Sequence, residues 1–264
     1  MSMHTRFVRY EVPGFSERWR LPEQPVPESA WHDACVELLK ALLVAWLART
    51  GRAAAVYRNL AVRVRSDRRN VGFDPDLCLV EPAPAEGNEL DSLLLWRPDH
   101  RTPALVIEVL SPNHPTKDYA VAPEKCAAAG VGELVVFDPK LAGPRSGGGP
   151  HLLQIWRREG QGFSRVHAGN TPGFSPLLGA WWFPLESGQR LGIAADADGG
   201  ERWLTLEQAE RAARDAERLA REGERLAREE ERAATQVERA AKEAALQRIA
   251  ELEAELARRR EPGQ

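Results

Sequence analysis

The sequence is poor in the residues that staple or anchor a chain. It has three cysteines in 264 residues, Cys35, Cys78 and Cys126, far apart and each in an apolar setting. No Cys-x-x-Cys pair occurs, so neither a disulfide framework nor a cysteine-based zinc site is signalled. No run of about 18 apolar residues is present, so no membrane span is expected. The N-terminus lacks the charged stretch and apolar core of a secretory signal, and a soluble cytoplasmic protein is the expectation. An excess of positive charge is missing too: 36 Lys and Arg stand against 39 Asp and Glu, a net of −3. From residue 201 onward the count is 14 basic against 16 acidic, which leaves 22 against 23 before it. Any nucleic-acid contact must therefore come from a local patch.

Several catalytic signatures are absent as well. The three glycines at 147–149 have no following Lys-Ser/Thr and no helical pattern, so they read as a flexible loop and not a phosphate cradle. No Gly-x-Ser-x-Gly or Cys/His arrangement supports nucleophilic catalysis. His114 has no second histidine at ligand spacing, and His32 reads as a packing or surface residue.

What is present divides the chain into three parts. Residues 1–27, rich in Pro and aromatics, read as an irregular arm. Residues 28–200 hold enough apolar sequence for one sizeable core. Within them, Leu38, Leu39, Leu42, Leu43, Trp46 and Leu47 recur at helical spacing over 30–50, with Ser29 as a cap and Gly51 as a stop. Residues 53–66 alternate and read as one strand or two. "DPDLCLV" gives a short strand entered through Pro75, and "PALVIEVL" (103–110) a buried one. "SPNHPTKDY" is a turn-rich loop. A helix follows, with Pro123 in its first turn and Gly130 at its C-terminal cap. Then come a buried strand (133–139), a hairpin about Glu159–Gly162 and two closing strands. This order predicts an α/β domain with a mixed sheet flanked by helices.

Residues 201–264 differ. A heptad beginning Glu-Arg recurs at Glu210, Glu217, Glu224, Glu231 and Glu238. Its third and seventh positions form a seam of mostly alanine with Leu219, Leu226 and Val237, broken by Gly223 and Glu230. Beyond Ala244 the phase slips to a stripe of Ile249, Leu252 and Leu256. The pattern predicts a long helical tail, either coiled-coil-like and self-associating or simply solvated.

Two acids stand out. Glu108 lies inside the apolar run Ala104–Leu110, where a carboxylate costs several kcal/mol unless it is paired, protonated or bound to a cation. Asp76 opens the preceding core strand. Two carboxylates converging from neighbouring strands remain ionised together when a cation lies between them, and oxygen-only donors suit Mg²⁺ or Mn²⁺. The alternatives are an ordinary Asp-Pro-Asp turn, and a Glu108 paired with Arg63 or Arg65 or facing solvent on an edge strand. Arg63, Arg65, Arg68 and Arg69, just ahead of Asp76, fit either a phosphate-contacting patch or the exposed face of a strand.

"DPDLCLV", followed by "PALVIEVLSPNHPTKDYAVAPEKCAAAGVGELVVFDP", resembles the Uma-two family of restriction-endonuclease-like proteins, within the PD-(D/E)XK nuclease superfamily. The likeness covers roughly residues 30–185, and its Glu-Val-Leu-Ser-Pro block is its most specific part. It implies a restriction-endonuclease-like fold and Mg²⁺- or Mn²⁺-dependent hydrolysis of DNA. Asp76 and Glu108 take the places of the family's two metal-binding acids, and the backbone carbonyl of Val109 that of the third ligand. The superfamily's lysine position is Leu110 here, and the position that the family uses on the following helix is Ala122. Lys125 is then the implied catalytic lysine, with Lys117 in reserve. The departure at Ala122 also motivates a second expectation: a nuclease fold with impaired catalysis, acting as a binding or scaffold protein through its tail.

Overall fold

A computed structural model of the chain describes residues 7–8, 19, 29–111, 117–147, 149–160 and 162–260. They fall into two compact units, Met1–Leu206 and Glu207–Gln264.

The first unit is built on a seven-stranded mixed sheet. In spatial order its strands are β1 (Phe7–Val8), β10 (Gly162–Gly169), β9 (Leu153–Glu159), β8 (Glu133–Phe137), β7 (Leu105–Val109), β5 (Leu77–Val80) and β2 (Ala55–Arg58). Only β7 and β8 run parallel. A parallel pair needs a crossover, and α2 (Ala122–Ala129) supplies it. Central strands β5, β7 and β8 are buried on both faces, which explains why they read as unbroken apolar runs instead of alternating ones.

The two faces have separate cores. On one, α1 (Ala30–Thr50) lays Val36, Leu39, Leu43 and Trp46 against Leu77, Ile107 and Val135. Trp182 and Ile193, from β12 (Ala180–Leu185) and β13 (Arg190–Ala194), join that core, and β11 (Gly173–Ser175) completes their small sheet. On the other face, α2 places Cys126 and Ala127 against Cys78, Val106 and Val136. A second small sheet packs on this side: β3 (Ala61–Arg63), β4 (Gly72–Phe73) and β6 (Ser92–Leu94).

Local chemistry sets the element ends as expected. Ser29 Oγ accepts the His32 N–H at 3.2 Å and caps α1, while Gly51 ends it at φ 65°. Gly130 closes α2 at φ 88°, a left-handed conformation that glycine adopts without steric penalty. At Gly132 a side chain would meet Ala104 O at 2.8 Å, so β8 can start close beside β7 only because that Cβ is missing.

Three segments differ from the sequence expectation or add to it. Within the stretch read as an irregular arm, Phe7–Val8 pairs with β10, and Trp19 is buried in the α2-side core. The connection between β5 and β7, which carried no strand expectation, supplies β6, which runs parallel to β3. Most of the stretch read as a turn-rich loop, residues 112–116 with His114, lies outside the described residues. Its end is not a loop: Lys117–Val121 winds a π-helical turn leading directly into α2. Pro123 has no N–H to return to the carbonyl four residues back, so an α-helical bond to Tyr119 is impossible there. Tyr119 is held from outside, its hydroxyl donating to Asp138 Oδ2 at 3.0 Å and accepting the His151 N–H at 2.7 Å.

The second unit is one helix, α3 (Leu206–Arg260). At 1.5 Å per residue it is roughly 80 Å long. Its described side chains are exposed, Leu219, Leu226, Val237, Ile249, Leu252 and Leu256 among them. No helix among the described residues is long and apolar enough to cross a membrane.

Candidate metal centre

The site lies where β5 and β7 stop pairing. The last registered pair is Leu77 with Ile107, in antiparallel sense. Continued one step, this register would set Asp76 opposite Glu108, and continued two steps Pro75 opposite Val109. Proline has no N–H, so the ladder cannot continue. Odd-numbered residues of β7 turn their peptide groups toward β5, and those of Val109 are therefore left without a strand partner. Side chains take them instead. Asp76 Oδ2 accepts the Val109 N–H at 2.6 Å, and His32 Nε2 lies 2.9 Å from the Val109 carbonyl oxygen. The same nitrogen is 3.2 Å from Asp76 Oδ2. Because a carbonyl oxygen can only accept, Nε2 carries the hydrogen in this arrangement.

All three side chains are removed from water. Asp76 is 6%, Glu108 3% and His32 4% exposed. His32 is the site residue that sequence reasoning missed. It was expected to serve packing or face the surface, and it is buried against both Asp76 and Val109. A signal was available, since Ser29 caps the helix and fixes its first turn, but nothing in the sequence says that this turn faces the Asp76 strand end.

Glu108 lies on the face of the sheet away from α1 and His32. Its alternation with Val106 and Leu110 places it on the α2 face of the sheet. Burial, and then the Glu108 carboxylate, push the Cys78 thiol up to about 12. The Cys126 thiol is raised for the same two reasons and lowered by the ammonium of Lys125. Glu108 and Lys125 thus act on one thiol from the same layer, with Lys125 half-buried on α2. Ala122 and Leu110, the alternative lysine positions, are both buried. The side chain of Lys117 lies outside the described residues.

The arginines separate. Arg63 donates to Ser92 Oγ at 3.0 Å and to the Arg69 carbonyl, and with Arg69 it lines a pocket of about 500 Å³ that also contains Trp96, Arg97 and His100. Arg65 is paired with Asp67, two residues on. Arg68 is in the turn before β4. Arg63 and Arg69 therefore share one surface, and Arg65 has a carboxylate of its own.

Donor chemistry decides which cluster suits a metal. Among the described residues, the group whose three ligand atoms lie within 4.8 Å of one another is Glu86, Asp99 and His100. It is a poor cation site. His100 Nδ1 accepts the Leu94 N–H at 2.7 Å, so Nε2 holds the hydrogen and points it at Glu86 Oε1, 3.2 Å away. Arg97 pairs with both carboxylates. One guanidinium thus offsets one of the two carboxylate charges, and the imidazole has no lone pair left for an ion. At the β5–β7 end, by contrast, two buried carboxylates and a backbone carbonyl offer the hard oxygen donors that Mg²⁺ and Mn²⁺ take. Asp76, Val109 and His32 are drawn together there. Glu108 is not drawn to within 4.8 Å of both Asp76 and His32.

Comparison with known proteins agrees with the motif. Residues 21–143 match the family model Uma2, described as "Putative restriction endonuclease". The resemblance carried by the Glu-Val-Leu-Ser-Pro block is thereby borne out, and the matched span contains His32, Asp76, Glu108, Val109 and Lys125. No curated protein matches the chain. A solved structure described as a putative nuclease belonging to DUF820, from Anabaena variabilis, is 15% identical over 62% of this chain and 81% of that one, with a TM-score of 0.42.

Proposed function

We propose that the α/β unit is a cytoplasmic endonuclease that hydrolyses DNA phosphodiester bonds with Mg²⁺ or Mn²⁺. The observation that carries this reading is the gathering of Asp76 and the Val109 peptide at one strand end, next to Glu108 in β7, inside the span that matches the family. A bound divalent ion would polarise the phosphoryl oxygen and lower the pKa of the attacking water. Asp76, Glu108 and the Val109 carbonyl would hold it, the Glu108 side chain turning toward Asp76 to do so. Asp76 is kept in place by the Val109 N–H. Lys125 stabilises the negative charge that develops on the phosphoryl group, with Lys117 as the reserve for that role. Arg63 and Arg69 contact phosphates of the flanking duplex from their shared surface, and Arg68 and Arg65, the latter once it leaves Asp67, add to that contact without reading sequence.

The tail is proposed to self-associate through α3. A second reading, a non-cleaving binding protein on the same fold, is favoured by one observation: the family's lysine position is the buried Ala122. Incubating plasmid DNA and a matched RNA with the purified protein across Mg²⁺ and Mn²⁺ concentrations separates the readings. Cleavage of DNA that is lost in Glu108→Ala supports the nuclease. No cleavage of any DNA with either ion, by a protein that still binds DNA, supports the binding module.

A further inference from the structure

His32 sits on the two oxygens that a metal at this site would use. Its Nε2 is 2.9 Å from the Val109 carbonyl oxygen and 3.2 Å from Asp76 Oδ2, and the residue is 4% exposed. It comes from α1, on the face of the sheet opposite the one that carries Glu108 and Lys125. The Ser29 cap fixes the turn that bears it. Arg58, from the edge strand β2, ties that turn down further by pairing with Asp33 and Glu37. The imidazole is thus rigidly placed and has little room to withdraw. An ion taking both oxygens must displace this nitrogen or accept it as a donor.

We propose that His32 is a metal ligand, supplying Nε2 as a nitrogen donor beside Asp76 and the Val109 carbonyl and biasing the site toward Mn²⁺ over Mg²⁺. This rests on the reading of the strand end as a metal site, not on the identity of the nucleic acid cut. The step is a change of tautomer at constant charge: the hydrogen leaves Nε2, one is taken up at Nδ1, and the freed lone pair turns to the ion. Imidazole suits transition-metal divalents, whereas Mg²⁺ keeps to oxygen donors and water. A nitrogen ligand therefore shifts preference without changing the number of acidic residues.

Pulsed electron paramagnetic resonance on the Mn²⁺-loaded full chain reads this directly, without DNA and without activity. The wild type is expected to show modulation from a coordinated ¹⁴N, which His32→Ala loses. Calorimetric titration should show Mn²⁺ affinity falling about tenfold or more in His32→Ala, with Mg²⁺ affinity changed only a few-fold. His32→Gln keeps a donor for the Val109 carbonyl and is expected to restore stability but not Mn²⁺ preference. Mn²⁺ bound in an Asp76-dependent manner with no nitrogen modulation overturns the proposal. So does full recovery of both affinities in His32→Gln, which would make His32 a positioning residue. A chain that shows the nitrogen signal yet cuts no DNA retains the ligand and loses the nuclease reading. Absence of any Asp76-dependent binding overturns both.

Discussion

Asp76 accepts the backbone N–H of Val109 at 2.6 Å, across the point where β5 can no longer pair with β7. This bond makes Asp76 structural as well as a ligand candidate, and the two roles separate by substitution. Asp76→Ala leaves a buried N–H without its acceptor and should destabilise the unit by about 2–3 kcal/mol, the range for a lost bond to a charged group. Asp76→Asn keeps an acceptor oxygen and should lose roughly 1 kcal/mol or less, while both variants lose metal binding. Urea denaturation with metal chelated reads the first effect, and titration with Mn²⁺ the second.

Lys125 makes a different prediction, because it acts on charge that develops during the reaction. Lys125→Met should lower the cleavage rate by about two orders of magnitude or more, the scale for removing one charge-stabilising donor. Mn²⁺ affinity should stay within a few-fold of wild type. If Lys125→Met cleaves normally and Lys117→Met does not, the role belongs to the preceding π-helical turn.

Stability should also depend on pH through Glu133, which is buried at the start of β8 with Arg157 Nε 3.6 Å away. Burial raises its carboxyl above the ordinary range, an effect that Ser175 and Arg157 oppose. The folded state therefore holds this proton to higher pH than the unfolded state does. Stability from this group is greatest below the unfolded pKa of about 4.3, and falls as pH rises through the elevated folded value. Glu133→Gln should accordingly show a higher urea midpoint than wild type at about pH 8, with the advantage vanishing toward about pH 4. An advantage that grows on acidification contradicts this account.

The tail offers two apolar stripes. On a straight helix of 3.6 residues per turn, Leu219, Leu226 and Val237 lie within about 20° of one another, and Ile249, Leu252 and Leu256 are rotated by roughly 90° from them. The second stripe has the larger side chains at closer spacing. Replacing Ile249 and Leu252 by Lys should reduce the oligomer mass measured by light scattering, with helical content retained. Deleting residues 207–264 should reduce it as far or further, and an unchanged mass in both would remove self-association from the account.

Much of the fold was legible because its signals are local. The α1 helix, its Ser29 cap, Pro123 and Gly130 around α2, the buried runs of β7 and β8, and the β9–β10 hairpin all follow from periodicity and turn chemistry. The mixed sheet with flanking helices follows from their order. The pairing of Phe7–Val8 with β10 was not legible, because a two-residue edge strand carries no period. The π-helical turn at Lys117–Val121 arises from the proline after it together with the distant anchors Asp138 and His151, and a run of turn-forming residues hid it. At the site, Asp76 and Glu108 were visible as acids bordering apolar strands. His32 was not, since its meaning depends on which strand end the first turn of α1 overhangs, and that is settled only by packing across the sheet.

Asp76 and Glu108 are expected to share a divalent cation, and calorimetric titration of Mn²⁺ into the full chain tests this most directly. Saturable binding in the wild type, abolished in Glu108→Gln while the variant remains folded, is the predicted result. Equal binding by the wild type and Glu108→Gln would contradict it.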